Sequence, residues 1–275
     1  MPVTLFGLTQ QMDLITVREI RSPRTRDELV FGAGEKPLGG GTWLYSEPQA
    51  GLDALLDLTA MGWPSIDETD AGITIAATAT IRELADLRSR EWACAPLFWQ
   101  AANSLLASFK IWNVATVGGN ICTSLPAGPM ISLAATLDAT AVIWSRSSER
   151  RMPVASFVTG VRSNELGHDE VLRAIEIPRH ALDARTGFRR IALSPLGRTG
   201  TLVMARVDAS GETVFTVTGG TTHPWVIREN SMPTVAALSR RLDEVDDWYD
   251  DAHGSPDWRE AMSRAFCAEL VEELS

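Results

Sequence analysis

Two adjacent glycines, Gly118 and Gly119, lie near the middle of the chain, within residues 111–123. Apolar residues precede and follow the pair, and the short polar side chains of Thr116 and Asn120 flank it. Because neither glycine carries a Cβ atom, the backbone can adopt positive φ and come close to a bound group. Exposed N–H groups in such a turn form a concavity that accepts anions. The pattern predicts a diphosphate-binding turn; the alternative is an ordinary tight turn between a helix and a strand.

A second stretch, residues 38–44, carries the same chemistry. It has three consecutive glycines, followed by Thr42 and Trp43. Neither glycine stretch has the Walker pattern of a nucleoside-triphosphate site. Two such loops are what a large dinucleotide lying across two subdomains requires. A flexible loop, with hydroxyl side chains that only cap turns, is the alternative interpretation.

The elements before the central glycines are predicted to alternate between strands and helices. The predicted elements are a strand over 13–20, a short helix over 22–30, strands over 36–38, 55–58 and 73–77, and a longer helix over 96–109. Thr80 and Glu83 have the spacing of a capping box and predict a helix beginning at Ile81. Apolar runs after the glycines predict strands over 133–137, 139–144, 154–158 and 171–177.

The pattern changes after a polar junction at residues 179–185. Strands are predicted over 188–207 and 213–218, with a hairpin turn at residues 208–211. Helices are predicted over 235–242 and 258–274, and the inward side chains of the second helix are expected to be Met262, Ala265, Phe266 and Leu270. We therefore predict three units: two subdomains at residues 1–60 and 61–183, and a terminal domain at 184–275.

The composition excludes some kinds of partner. The formal net charge is −10 and the pI is about 4.9, which argues against binding to nucleic acid or to anionic membrane surfaces. The apolar run at residues 131–144 is interrupted by Asp138 and is too short to span a bilayer. Residues 1–10 lack the basic start and the cleavage site of a signal peptide. We expect a cytoplasmic protein.

Metal ligands and catalytic groups are not predicted. The three cysteines, Cys94, Cys122 and Cys267, are widely separated, which fits neither a zinc site nor an iron–sulfur cluster, and they are expected to be reduced and buried. The four histidines are scattered. No pair of residues has convincing spacing for acid/base catalysis.

Taken in order, five segments resemble the FAD-binding (medium) subunit of molybdenum hydroxylases, the group that includes carbon monoxide dehydrogenase and bacterial xanthine dehydrogenase. Residues 38–44 resemble the family's AGGTxL loop, and residues 115–121 its ATxGGNI turn. The other segments are residues 75–84, similar to IGAxTTxxEL; residues 171–178, similar to LLxxIxIP; and residues 219–228, similar to GGxAxxPxR. Together they cover nearly the whole chain.

The resemblance implies an α+β fold, with two FAD-binding subdomains of the PCMH type and a C-terminal α+β domain of the carbon monoxide dehydrogenase flavoprotein type. It implies non-covalent FAD, with the diphosphate held by the loops at 39–46 and 116–120, the adenine near Leu172, and a basic contact from Arg190. The expected cofactor-binding residues are Lys36, Leu38, Gly39, Gly40, Gly41, Thr42, Trp43, Leu44, Ser46, Ala77, Thr80, Thr116, Gly118, Gly119, Asn120, Thr123, Leu172 and Arg190.

Four positions depart from the family pattern. Gly39 replaces an alanine, Ala76 a glycine, and Trp112 an arginine. Pro129 stands where many members have an aspartate, which is expected to hydrogen-bond the adenosine ribose. These departures predict weakened FAD affinity.

The function implied by the resemblance is electron transfer. A molybdenum-cofactor large subunit would hydroxylate the substrate, and electrons would pass through [2Fe–2S] clusters on a small subunit to FAD and then to NAD⁺, oxygen or another acceptor. Both the molybdenum cofactor and the clusters would lie on these partner subunits. Two alternatives are a stand-alone FAD-dependent oxidoreductase and an assembly subunit with weakened cofactor binding.

Overall fold

The computed structural model describes residues 14–275 as a mixture of helices and strands. The strands are β1 Glu19–Arg21, β2 Glu35–Leu38, β3 Ala54–Asp57, β4 Ile66–Thr69, β5 Gly72–Ala76, β6 Thr140–Trp144, β7 Glu149–Pro153, β8 Val158–Gly160, β9 Ser163–Asn164, β10 Val171–Pro178, β11 Arg185–Ile191, β12 Thr201–Val207, β13 Thr213–Thr218 and β14 Trp225–Glu229. The α-helices are α1 Ile81–Asp86, α2 Ala95–Ser104, α3 Phe109–Trp112, α4 Val117–Thr123, α5 Pro129–Thr136, α6 Val154–Phe157, α7 Arg179–Leu182, α8 Val235–Leu242 and α9 Pro256–Leu274. Short 3₁₀ turns lie at Arg26–Glu28, Leu44–Ser46, Leu58–Met61 and Leu87–Ser89.

The first sheet delivers the chain to the first glycine loop. β1 and β2 each pair in parallel with β3, which lies between them. Leu38, at the end of β2, packs with Leu52 and Leu55, and Leu44 contacts this cluster from beyond the glycines. The loop at 39–43 is therefore held at one end by the buried Leu38 and at the other by the partly buried Leu44.

The second sheet has the order β4-β5-β10-β6-β7 and is antiparallel throughout. The core beside it is built from apolar side chains of β5, β6, β10 and helices α1, α2, α4 and α5. In β10 the register to β6 shifts between Leu172 and Ala174. β5 leads into α1 and α2, and these helices bring the chain round to the central glycines.

The third sheet, β11-β12-β13-β14, is antiparallel and is covered by α8 and α9. Its contacts with the central part of the chain include the backbone bond from Gly219 N to Pro126 O, 2.8 Å long, and a hydrogen bond between the Ser132 and Thr218 hydroxyls. The buried Arg206 on β12 donates to Thr136 O at 2.9 Å and to Asp138 at 2.6 Å. Each of the three larger sheets draws its strands from one part of the sequence, but the division at residues 60 and 183 remains a prediction, and residues 1–13 lie outside the described residues.

Many of the predicted elements are present. The strands expected near 36–38, 55–58, 73–77, 139–144, 171–177 and 213–218 are β2, β3, β5, β6, β10 and β13, and the expected helices at 235–242 and 258–274 are α8 and α9. The capping box of Thr80 and Glu83 forms at the start of α1, and the turn expected at residues 208–211 connects β12 to β13. These are the segments with clear periodicity or explicit cap and turn residues.

Other predictions of secondary structure are wrong. The runs at 133–137 and 154–158 are helical, as α5 and α6, because a short apolar run buried on all sides has no periodicity to separate helix from strand. The helix expected over 96–109 ends at Ser104, and Leu106 adopts φ 51° before α3 begins. The expected strand at 13–20 contributes only from Glu19, with Asp13 outside the described residues, and the expected helix at 22–30 is a single 3₁₀ turn.

Smaller errors concern the edge strands and the last helix. Strands β4, β7 and β14 were not predicted, because their exposed faces are polar and the segments are short. Arg179–Leu182 in the expected junction forms the helix α7. Ala265 faces solvent, in contrast to the prediction, whereas Phe266 and Leu270 are buried.

The helices and side-chain clusters of the described residues bear on two kinds of site, a membrane span and a metal centre. Of the helices within residues 14–275, none combines the length and apolar character needed to cross a membrane. In the same residues no cluster of three or more histidine, cysteine, aspartate or glutamate side chains is placed to hold a metal ion.

Candidate functional site

A cleft lies where the first sheet meets the central unit, and both glycine segments line it. Its empty volume is about 400 Å³, and it is open to solvent. The lining residues are Pro37, Gly39, Leu58, Ala77, Thr78, Thr116, Gly118, Gly119, Cys122, Leu166, Val171 and Leu172. The structure therefore brings together segments that are separated by about a third of the sequence, as the two-loop interpretation requires.

The two glycine segments touch through their backbones. A Cβ atom on Gly39 would lie 2.7 Å from Oγ1 of Thr116, and a Cβ atom on Gly40 would overlap the Val114 carbonyl oxygen. Gly41 adopts φ +68°, which favours glycine. The first loop thus needs its glycines for two different reasons: close approach at 39 and 40, and conformation at 41.

The central glycines do not form the predicted turn with positive φ. Gly118 and Gly119 lie in the first turn of α4, with Thr116 as the N-cap residue. A Cβ atom on Gly118 would overlap the Cβ atom of Ala77. Glycine is needed there because α4 begins against the segment after β5, and not because the backbone turns.

Backbone hydrogen bonds fix this contact. Ile81 N donates to Ala115 O at 2.9 Å, Val117 N to Ala79 O at 2.8 Å, and Gly118 N to Ala77 O at 2.9 Å. Thr80 and Thr116 form an antiparallel bridge between the same segments. The sequence 77–80 and the start of α4 therefore act as one rigid wall of the cleft.

The N–H groups available to an anion lie on the first loop rather than on α4. At the start of α4 the N–H groups of Val117, Gly118 and Asn120 donate to backbone carbonyls, and that of Gly119 donates to Oγ1 of Thr116. By contrast, within residues 14–275 no acceptor is recorded for the N–H groups of residues 39–43. A row of N–H donors in a loop with a left-handed residue has the chemistry of an anion-binding concavity. The residues present therefore fit a diphosphate.

The threonine hydroxyls differ in whether their proton is free. Oγ1 of Thr80 donates to Glu83 Oε2 at 2.8 Å, and Oγ1 of Thr123 donates to Gly119 O at 2.6 Å. Within residues 14–275 the one hydrogen bond of Thr116 Oγ1 is the bond that it accepts from Gly119 N at 3.0 Å, so its proton can be donated into the cleft. Among the described residues no hydrogen bond is recorded for the hydroxyls of Thr42 and Thr78. By this criterion Thr116, Thr42 and Thr78 are the threonines that fit a donor role, and Thr116 and Thr78 line the cleft.

Several other predicted site residues have structural contacts. Asn120 Oδ1 accepts from Met130 N at 3.1 Å and so ties α4 to the start of α5. Ser46 donates its hydroxyl to Trp43 O at 2.7 Å within the 3₁₀ turn. Lys36 is exposed on β2. The contacts of Ser46 and Asn120 therefore help to hold the first loop and α4 in place.

The two remaining predicted contacts lie in different places. Leu172 on β10 is buried and forms part of the cleft wall. Arg190 on β11 bonds to Thr199 Oγ1 at 2.7 Å and to Gly197 O at 2.6 Å, so its guanidinium holds the loop between β11 and β12. Burial lowers the pKa of Arg190. The described contacts of Arg190 are with its own loop rather than with the glycine segments.

Sequence reasoning missed part of the lining. Thr78, Leu58, Leu166 and Val171 reach the cleft from four separate segments of the chain. Thr78 could have been found, since it follows Ala77 within a recognised motif; the apolar residues carry no signal that separates them from the core. Cys122 also lines the cleft and is partly exposed, against the expectation of burial, although burial of the thiol raises its pKa to about 12.

Acidic residues are absent from the segment that contributes α4 to the cleft, whereas Asp57 lies beside the first loop, paired with Leu38 on β2. Residues 92–137, which include α4 and its approach, contain no aspartate or glutamate, in a chain with 35 acidic residues among 275. Glu83 lies nearby beneath Thr80; burial alone would raise its pKa, but hydrogen bonds from Ser65 and Thr80 outweigh burial and lower the pKa. Its negative charge is thus compensated locally by donors.

The chain belongs to the family of FAD-binding domains in molybdopterin dehydrogenases, whose model matches residues 20–180, more than half of its length. A nicotinate dehydrogenase FAD-subunit from Eubacterium barkeri is 36% identical over 94 residues, which are 33% of this chain and 32% of that protein. A putative xanthine dehydrogenase FAD-binding subunit from Escherichia coli K12 is 30% identical over 132 residues, 46% of this chain and 45% of that protein. These matches span less than half of either relative.

Solved structures show the same fold over nearly the whole chain. A chain of carbon monoxide dehydrogenase from Oligotropha carboxidovorans superposes with a TM-score of 0.81, covering 93% of this chain and 96% of that one, at 18% identity. Quinoline 2-oxidoreductase from Pseudomonas putida 86 gives a TM-score of 0.76 with the same coverage and identity. The predicted α+β fold and the resemblance to FAD subunits of molybdenum hydroxylases are therefore confirmed.

Proposed function

We propose that the chain binds FAD non-covalently across the cleft and serves as the electron-transfer subunit of a multi-subunit molybdenum hydroxylase. The observation that carries the proposal is the contact between the two glycine segments on one cleft, where a loop rich in free N–H donors lies against Thr116 and α4. The printed names of the relatives, which are FAD subunits of nicotinate and xanthine dehydrogenases, support it.

The residues of this chain would hold and orient the cofactor. The N–H groups of residues 39–43 and the hydroxyl of Thr116 would donate to the diphosphate, while the apolar wall of Leu58, Val171 and Leu172 would bury the flatter parts of the dinucleotide. When bound, FAD supplies the redox chemistry, which the protein tunes through binding and electrostatics. The acid-free segment 92–137 lowers the repulsion of a diphosphate by this acidic chain.

The proposed partners are a molybdenum-cofactor large subunit and a small subunit with [2Fe–2S] clusters, with NAD⁺, oxygen or another molecule as the final acceptor. A stand-alone FAD-dependent oxidoreductase is the second candidate. The residues that line the cleft are all neutral, and the thiol among them has a pKa of about 12, which suits binding and electron transfer better than proton transfer. Co-purification with both partner subunits would separate the first function from the second.

The decisive test is the flavin content of the Gly118→Ala variant. Its new methyl group would overlap Ala77 and push α4 away from the segment after β5, so we expect bound FAD, measured by absorbance after purification, to fall at least tenfold. The larger Gly118→Val should abolish binding. Gly160→Ala is the matched control, because a Cβ atom there has ordinary contacts and the φ angle is not positive.

The melting temperature of each variant separates lost binding from lost folding. A folded Gly118→Val protein that keeps full flavin absorbance would contradict the proposed site. An unmodified chain that binds no FAD, either alone or with its partners, would instead favour the assembly-subunit alternative.

A further inference from the structure

Large apolar side chains are exposed along the segment that approaches α4. Phe109 is 65% exposed and Val114 is 49% exposed, and Leu106 and Ile111 are also exposed. We refer to these four residues, together with Lys110 between them, as the 106–114 surface. Clusters of exposed apolar residues on a soluble protein mark interaction sites, whereas single ones do not.

The 106–114 surface is continuous with the cleft. The carbonyl oxygen of Val114 contacts Gly40 of the first loop, and Tyr45, itself exposed, contacts Gly41 of the same loop. Thr116, which caps α4 and lines the cleft, is only two residues from Val114. A partner bound to this surface would therefore cover the edge of the cofactor cleft.

The charge of this surface is opposite to that of the molecule. The segment lies within the acid-free residues 92–137 and Lys110 is exposed. Arg82 packs at 5.5 Å from the Trp112 ring, and its charge is paired with Asp86 at 3.8 Å, so Lys110 is the charge that the segment itself presents. The chain as a whole carries −10. A basic, apolar surface on an acidic protein is complementary to a partner that presents carboxylates around an apolar centre.

We propose that the 106–114 surface is the docking site of the [2Fe–2S] subunit; this rests on the proposed function and deepens it. Electron transfer weakens steeply with distance, so the donor must approach the edge of the cofactor cleft, which this surface borders. Cysteine thiolates give an iron–sulfur cluster net negative charge, which a nearby Lys110 would favour. Pairing with a second copy through this surface is disfavoured, because residues 106–114 contain no acidic side chain that could pair with Lys110 of the other copy.

The first test uses the complete complex, with the chain co-expressed with its iron–sulfur and molybdenum subunits. The double variant Phe109→Glu/Val114→Glu should lose at least tenfold in iron–sulfur subunit recovered and in the rate of FAD reduction by substrate, with that rate expressed per bound FAD because two new carboxylates beside the cleft also oppose the diphosphate. Leu196→Glu is the matched control, since that leucine is 86% exposed on the loop between β11 and β12, and it should behave as the unmodified complex.

Zero-length carbodiimide coupling gives an independent measurement. The chain has only two lysines, Lys36 and Lys110, so an amide formed between Lys110 and a carboxylate of another subunit can be assigned by mass spectrometry. We expect this bond to join Lys110 to the iron–sulfur subunit, and the Lys110→Arg variant to lack it while keeping the complex.

The outcomes separate this inference from the proposed function. Normal assembly of the double-glutamate variant, or coupling of Lys110 only to the molybdenum subunit or to a second copy, would overturn the docking site and leave the function intact. Failure of the unmodified chain to bind FAD or either subunit would overturn the proposed function, and the docking site with it.

Discussion

At the scale of single residues, the direction of each hydrogen bond separates the threonines that build the wall from those that can reach a ligand. A hydroxyl group has one proton, so a threonine that already donates to a carboxylate or carbonyl has none left for a phosphate. Thr80 and Thr123 have donated theirs, to Glu83 and to Gly119 O, and Thr116 has not. The capping-box partner Glu83 distinguishes Thr80 in the sequence, but no local pattern shows that Thr123 donates to a carbonyl and that Thr116 does not.

This difference predicts opposite results for two equivalent substitutions. Thr116→Val should weaken FAD binding about tenfold or more, because a hydrogen bond to a charged group contributes roughly 1.5–3 kcal/mol. Thr123→Val removes only a bond within α4 and should leave the affinity within about twofold. Flavin fluorescence titration of the refolded apoproteins measures both.

Thr116 also caps α4, so its loss will lower stability as well, by about 1 kcal/mol. The Thr116→Ser variant keeps the hydroxyl and should restore both properties. If Thr116→Val and Thr123→Val bind FAD equally well, the hydroxyl of Thr116 does not contact the diphosphate.

At the scale of elements, the start of α5 explains how the chain tolerates one departure from the family pattern. Pro129 occupies the first position of α5, where its missing N–H is no loss and its fixed φ suits a helix. Asn120 satisfies the next N–H group, that of Met130. The helix start is therefore complete without the aspartate that the resemblance leads one to expect.

The consequence for binding is a measurable loss of cofactor. We expect the isolated chain to lose FAD during gel filtration, since Pro129 offers no acceptor to a ribose hydroxyl. Pro129→Asp should retain several-fold more flavin, and the positive end of the α5 dipole would offset part of the cost of placing a carboxylate at this buried position. Stoichiometric FAD in the unmodified chain after gel filtration would show that the departure has no cost.

Elements that begin or end at recognisable cap or turn residues could be predicted from the sequence, and elements without such residues could not. The Thr80–Glu83 capping box and the turn before β13 were recognisable because specific side chains satisfy specific backbone groups. The sequence predicts a strand over 133–137, where α5 forms, because all residues of α5 are buried and only Pro129 marks the start of the helix. The location of the cleft followed from the glycines, but its apolar wall is set by tertiary packing that no local pattern encodes.

At the scale of the whole molecule, an ion-pair network joins the C-terminal sheet to the central unit. Asp138 accepts from the fully buried Arg206 and from Arg228, and His180 lies 3.5 Å from the same carboxylate. Burial alone would raise the pKa of Asp138, but the hydrogen bonds from Arg228 and Arg206 outweigh it and lower the pKa. The network thus stabilises the contact between the two parts only while Asp138 is ionised.

The contribution of Asp138 to the free energy of unfolding decreases in acid. Because the folded pKa of Asp138 is below its unfolded value of about 4, its contribution to the free energy of unfolding is full above that value and is lost as the pH falls through the folded pKa. Asp138→Asn should cost roughly 1.5–3 kcal/mol at neutral pH, since it removes the charged partner of Arg228 and one of the two carboxylates that pair with the buried Arg206, the other being Asp208. Chemical denaturation at pH 7 and in the acid range measures both quantities.

The control is Asp169→Asn, a change at an exposed carboxylate for which no ion pair is recorded among residues 14–275. It should leave stability nearly unchanged across the same range. An Asp138→Asn protein whose stability varies with pH in parallel with the unmodified chain would exclude Asp138 as the source of the acid sensitivity.

The meeting of Gly40 with the Val114 carbonyl has an implication for engineering. Because this contact is made by main-chain atoms, a change in the backbone of one segment cannot be compensated by substituting a side chain in the other segment. A chimera that imports residues 38–44 from a homologue must therefore import 111–119 from the same donor, as a single cassette. We expect laboratory evolution of cofactor preference to select substitutions around this contact and to leave the contact between Gly40 and the Val114 carbonyl unchanged.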